Sequence, residues 1–151
     1  MSLRRAASHA SNRRSIGSPA MSSQPFVVEE QSVPLERDDE NDPRVTWRTL
    51  TSSDRTPTRE LTSGVCEIEP GGMLGLHRHP PLELYYFLAG SGVVTLGAED
   101  HPVSAGVTIS IPGNTPHAIR NTGTTPLRLF YVFPVDSYSD VRYTMLDAAG
   151  H

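Results

Sequence analysis

From Pro43 onward the chain reads as short apolar or alternating runs broken by turn residues. The runs cover residues 45–50, 61–68, 73–79, 82–88, 92–96, 107–111, 117–120 and 127–133. Between them lie Pro70-Gly71-Gly72, Ala89-Gly90-Ser91-Gly92, Gly97-Ala98-Glu99-Asp100, Pro112-Gly113-Asn114 and Asn121-Thr122-Gly123. No helical period is sustained over a useful length. Many short strands at this spacing predict an all-β sandwich or barrel.

The first 42 residues differ in texture. Residues 1–25 carry Arg4, Arg5, Arg13 and Arg14, no acid, and many serines and alanines. Such a stretch cannot bury a core and is expected to be disordered. Its composition fits an organelle transit peptide, or sequence ahead of a working start at Met21. Residues 29–42 invert the charge, with Glu29, Glu30, Glu36, Asp38, Asp39, Glu40 and Asp42 against Arg37 alone. They read as a solvated acidic linker. The expected organisation is therefore a segment and linker over 1–42 and one barrel domain over 43–147.

Composition narrows the chemistry. The 151 residues carry a net charge of −4, and all 13 basic residues are arginines. Without lysine there is no Schiff base and no phosphate-loop amine. An acidic balance with no basic stripe argues against a nucleic-acid partner. No apolar run approaches the ~20 residues of a membrane-spanning helix, so the expected location is the cytoplasm. Cys66 is the one cysteine, which excludes an intrachain disulfide and a cysteine-built metal knuckle. It reads as a buried thiol on a strand.

The segment from Gly71 to Gly90, GGMLGLHRHPPLELYYFLAG, concentrates the candidate chemistry. Side chains alternate faces along a strand, and His77, His79, Glu83, Tyr85 and Phe87 share parity. Two imidazoles two residues apart can converge on one ion, and a carboxylate adds a hard oxygen ligand. Further on, Pro112-Gly113-Asn114 ends one run and delivers His117 at the start of the next. Three imidazoles and one carboxylate leave coordination positions open on a six-coordinate metal, as catalysis requires.

These residues resemble the two motifs of the cupin superfamily. Gly71, His77, His79, Glu83 and Gly90 match every fixed position of G-x5-HxH-x3-E-x6-G. Gly106, Pro112, His117 and Asn121 match the second motif, G-x5-PxG-x2-H-x3-N. Asn114 stands where the family usually has glycine. Asparagine tolerates the left-handed backbone, so the turn is expected to survive. The resemblance implies a single-domain double-stranded β-helix, a jelly-roll barrel. It also implies His77, His79, Glu83 and His117 as ligands of one divalent transition metal. Fe2+ is favoured, with Mn2+, Ni2+, Co2+ or Zn2+ as the other candidates.

Tyr85 falls two residues after Glu83, on the metal's side of the barrel. A nearby cation favours a phenolate, so Tyr85 is a candidate general base, with a wall tyrosine as the plain alternative. Tyr86 has the opposite parity and is expected outside, against Trp47 or a second subunit. Arg78 and Arg120 are expected to point outward, His101 to lie exposed beside a turn, and Tyr131 to pack in the core, with a place lining the pocket as its alternative. The combination HxH-x3-E-x-Y is similar to the cupin-type dimethylsulfoniopropionate lyases, in which a tyrosine removes the proton α to a metal-held carboxylate. The implied reaction is β-elimination to acrylate and dimethyl sulfide. An iron(II) dioxygenase, an isomerase or decarboxylase of a sugar or organic acid, and a non-enzymatic ligand-binding module share the same ligands. A small carboxylate substrate and a homodimer complete the expectation.

Overall fold

The computed structural model describes residues 23–151. The strands are β1 (Glu36–Arg37), β2 (Val45–Thr51), β3 (Thr62–Ile68), β4 (Met73–Arg78), β5 (Glu83–Ala89), β6 (Ser91–Leu96), β7 (Glu99–Ser104), β8 (Thr108–Ile111), β9 (His117–Arg120), β10 (Leu127–Phe133) and β11 (Thr144–Met145). Two sheets form, ordered β1-β2-β3-β10-β5-β8 and β11-β4-β9-β6-β7. Every strand pair is antiparallel. Among the described residues the helical content is two three-residue 3-10 turns, Glu30–Ser32 and Tyr138–Asp140. The all-β jelly roll is present.

Alternation explains the packing. In β10, Leu127, Leu129, Tyr131 and Phe133 are buried while Arg128, Phe130 and Val132 are only partly so. In β5, Glu83, Tyr85 and Phe87 turn inward and Tyr86 and Leu88 outward. The inward set joins Ile68, Val94, Ile111 and Ile119 in one core between the sheets. Each such aliphatic or phenyl side chain contributes about 1.5–3 kcal/mol on burial. Cys66 is buried there too, on β3, and burial pushes its thiol up to about 12. It behaves as a small apolar residue.

Three features depart from the sequence-based reading. β7 is an additional strand, because Glu-Asp-His-Pro-Val-Ser carries no apolar alternation. It pairs only with β6, at a sheet edge, where a proline costs no ladder hydrogen bond. The turn before it is Gly97-Ala98, and His101 lies on the strand itself. Next, Trp47 does not pack outside with Tyr86. It shares parity with the buried Val45 and Thr49, and its ring packs 6.4 Å from that of Tyr138 on the core side.

The third departure concerns the boundary at residue 42. β1 pairs with β2, matching Glu36 to Trp47 and Arg37 to Thr46. Asp42 is buried, and its Oδ1 accepts from the Arg44 backbone N–H at 3.0 Å and from Arg44 Nε at 2.9 Å. Its Oδ2 accepts from the Met73 N–H at 2.9 Å. Glu36 is paired with Arg55, and Glu30 with Arg128. Part of the acidic stretch thus belongs to the fold's edge, with Glu30 and Glu36 paired to arginines distant in sequence and Asp42 to Arg44. Of the expectation of disorder over 1–25, residues 1–22 lie outside the described residues, and at Gln24 the backbone N–H donates to the Pro57 carbonyl at 3.1 Å.

Candidate metal centre

The two motif segments meet as neighbouring strands. His77 in β4 is the cross-strand partner of His117, the first residue of β9. His79 follows β4 in the bend made by Pro80 and Pro81, and Glu83 opens β5 on the facing sheet. A local dock holds the bend against the second motif's turn: the Asn114 N–H donates to the His79 carbonyl at 2.7 Å. Asn114 takes φ 62°, the left-handed conformation expected of it. Gly113 is required by close approach, since a Cβ there would lie 2.1 Å from the Pro80 carbonyl oxygen. Asn121 closes the following loop, donating to the carbonyls of Ile68 and Thr125 and accepting from the Gly123 N–H.

His77, His79, Glu83 and His117 are buried, and one donor atom from each lies within 4.8 Å of the others. In each histidine Nδ1 faces a backbone carbonyl: Gly75 at 2.7 Å, Pro81 at 3.0 Å and Thr115 at 2.7 Å. A carbonyl only accepts, so Nδ1 carries the proton and a neutral ring presents its lone pair on Nε2. The three Nε2 atoms converge. Those of His79 and His117 lie 3.0 and 3.2 Å from one Glu83 oxygen, and that of His77 is buried without a partner. Burial, the largest cause, lowers His77 to about 4, which keeps it neutral. Three lone pairs and a carboxylate facing inward fit one divalent cation.

Tyr85 lies deeper on β5, buried, its ring 6.2 Å from that of His117 and its hydroxyl without a protein partner. Burial, then the charge of Glu83, raises its phenol well above 10. Glu83 and Tyr85 line a cavity of about 320 Å³ together with Trp47, Tyr131, Tyr138 and Tyr143. Tyr131 both packs in the core and reaches this cavity. Arg78 is exposed, and Arg120 points to Asp100 at 2.8 Å on the outside, as parity indicated.

Sequence reasoning missed Tyr138 and Tyr143. They lie in the polar tail segment Asp-Ser-Tyr-Ser-Asp-Val-Arg-Tyr, which has no strand or motif pattern. The structure folds this tail back as a strap. β11 pairs with β4 at Arg78 and His77, setting the Tyr143 ring 5.1 Å from His77 and 5.3 Å from His79. Tyr138 donates to the Tyr143 hydroxyl at 3.4 Å. The capping serine Ser137 accepts from the Ser139 N–H, and the Tyr138 N–H donates to Ser52. The one available signal was the density of aromatic residues after β10.

Residues 64–133 match the family model described as Cupin domain. The chain is 35% identical over 128 residues to dimethylsulfoniopropionate lyase DddW of Ruegeria pomeroyi, covering 83% of this chain and 82% of that protein. The crystal structure of a predicted oxalate decarboxylase from Thermotoga maritima superposes with TM-score 0.66 at 28% identity, over 73% of this chain and 99% of that one. The polyketide cyclase RemF of Streptomyces resistomycificus shares the fold, with TM-score 0.69 at 23% identity over 83% of this chain and 89% of that one. The chain belongs to the cupin superfamily. Its group of three histidines and one glutamate sits where the two motif segments meet, inside the barrel.

Proposed function

We propose that this cupin is a metal-dependent lyase that cleaves dimethylsulfoniopropionate to acrylate and dimethyl sulfide. The observation that carries the reading is the placement of Tyr85. Its hydroxyl is buried and unpartnered, and it lines the same cavity as Glu83 of the histidine–glutamate group. Likeness to a dimethylsulfoniopropionate lyase over most of both chains supports the substrate. His77, His79, Glu83 and His117 would hold one divalent ion, with iron(II) the first candidate among those that imidazole and carboxylate suit. That ion would supply Lewis acidity, binding a carboxylate and acidifying the carbon next to it.

With the charge of a bound cation offsetting burial and Glu83 to favour its anion, Tyr85 would take the proton from that carbon as phenolate. The electron pair of the broken C–H bond forms the C=C bond of acrylate, and the β-carbon–sulfur bond breaks with its pair leaving on sulfur. Tyr85 then returns its proton to water. Around it, Phe87, Ile119 and Leu129 exclude solvent, which favours transfer to a positioned base over exchange with bulk water.

A decarboxylase reading has support from relatives such as oxalate decarboxylase OxdC of Bacillus subtilis, 31% identical over 56% of this chain and 23% of that protein. The cavity favours the lyase. Among the described residues lining it no arginine occurs, so a second carboxylate of a dicarboxylate would face Asp38, Glu40 and Glu83. Outside, Leu82, Tyr86 and Leu88 are each more than 40% exposed, and we take this face as the one a second copy covers in a homodimer.

The test is anaerobic incubation of metal-loaded protein with the sulfonium acid. Equimolar acrylate and dimethyl sulfide are expected. Turnover only with oxygen uptake would transfer the protein to the dioxygenases, and carbon dioxide from oxalate would transfer it to the decarboxylases.

A further inference from the structure

The cavity has two chemically different ends. One is Glu83, the member of the metal-ligand group that lines the cavity. The other is a shell of rings around Tyr138, with centroids 6.4 Å to Trp47, 6.3 Å to Tyr131 and 6.3 Å to Tyr143. The corresponding planes are tilted by 39°, 45° and 51°. Rings tilted in this range build a curved wall rather than a flat stack. All four line the cavity. Phe133 joins wall and metal group, with its ring 5.8 Å from Tyr131 and 5.1 Å from His79.

The charges around the cavity are one-sided. Its acids are Asp38 and Glu40, from the loop between β1 and β2, and Glu83; no arginine lines it among the described residues, and the chain has no lysine. Once a divalent ion is bound, Glu83 and one substrate carboxylate balance it. Asp38, Glu40 and the π-faces then remain to meet the rest of the ligand, and both attract positive charge.

We propose that Trp47, Tyr131 and Tyr138, with Asp38 and Glu40 of the β1–β2 loop, form a subsite for the onium end of a zwitterion whose carboxylate lies at the metal-ligand group. A dimethylsulfonium or trimethylammonium head has no N–H to donate. It is held by ring faces and field, which this wall offers, rather than by the acceptors that a primary ammonium needs. A cavity of about 320 Å³ suits a molecule of that size. This deepens the lyase reading and rests on it for the position of the carboxylate.

The test is equilibrium binding, independent of turnover. The probes are 3-(trimethylammonio)propanoate, whose amine is a poor leaving group, and its neutral isostere 4,4-dimethylpentanoate, each titrated calorimetrically into metal-loaded protein. The cation is expected to bind about tenfold more tightly. The preference should fall to about threefold or less in Tyr138→Leu and survive in Tyr138→Phe, which keeps the ring. Metal content and thermal unfolding of both variants report whether the barrel is intact. Asp38→Asn with Glu40→Gln should lower the preference and its salt dependence together. Equal binding of the two isosteres by the wild type, or a preference unchanged in an intact Tyr138→Leu, overturns the subsite. Preferential onium binding without dimethyl sulfide release would keep the subsite and remove the lyase; release without preference would do the reverse.

Discussion

His77 and His117 are cross-strand partners, 40 residues apart in sequence and with ring centroids 4.1 Å apart. Registry of β4 with β9 thus brings the two motifs to one point, and His79 and Glu83 are added from the bend and the facing sheet. Each ring is turned by a bond from Nδ1 to a carbonyl two residues away. The backbone therefore sets the tautomer as well as the position of the donor atoms.

Removing one ring should empty the site. His117→Ala is expected to lose stoichiometric divalent metal while remaining folded, measured by elemental analysis alongside circular dichroism. Losing only a hydrogen-bond partner of a ligand changes metal affinity by about 10–100-fold, so loss of a ligand itself should exceed that. Full occupancy in the variant would take His117 out of the metal group.

Tyr85→Phe separates base from wall. The phenyl ring fills the same space, so metal content should not change. Turnover should fall by about 100-fold or more, the range for losing a positioned base. An unchanged rate would reduce Tyr85 to packing.

The turn inside the second motif is expected to be intolerant. In Gly113→Ala the new methyl meets the Pro80 carbonyl, a backbone atom that cannot swing aside. Overpacking of this kind costs about 1–3 kcal/mol. It should also displace His79, whose carbonyl is bonded from Asn114, so weaker metal binding is expected with the lower melting temperature. Wild-type values for both would show that the dock of bend and turn is dispensable.

Asp42 ties the acidic edge to the barrel and gives it a pH signature. The Arg44 side-chain bond is the main cause that lowers this carboxyl from 3.8 to about 2. A depressed carboxyl stabilises the folded state fully above the unfolded value, and the contribution fades as pH falls from 3.8 towards 2. Asp42→Asn should cost on the order of 1–2 kcal/mol at neutral pH. It should also flatten the acid limb of denaturant-measured stability. An unaltered acid limb would leave Asp42 without a part in stability.

Much of this arrangement was legible in residues 45–133, and the reason is physical. Period-two burial and the His-x-His spacing are local properties, so parity alone placed Glu83, Tyr85 and Phe87 inside and Arg78 outside. What escaped was held by distant partners. β7 is held by pairing with β6, and of its residues Val103 alone joins the core. Glu36 and Asp42 looked like solvated acids because Arg55 and the Met73 N–H are far along the chain. Tyr138 and Tyr143 reach the cavity only because β11 pairs back onto β4. An outward Trp47 followed from pairing it with Tyr86, although its parity with Val45 and Thr49 already pointed inward.

The measurement that bears most directly on the account is dimethyl sulfide release as a function of bound metal. Chelated protein would be reconstituted anaerobically with graded iron(II), each sample being assayed for metal per chain and for product in the headspace. The account predicts a rate rising in proportion to metal and reaching its plateau at one ion per chain. Product from metal-free protein, or none at full occupancy, would contradict it.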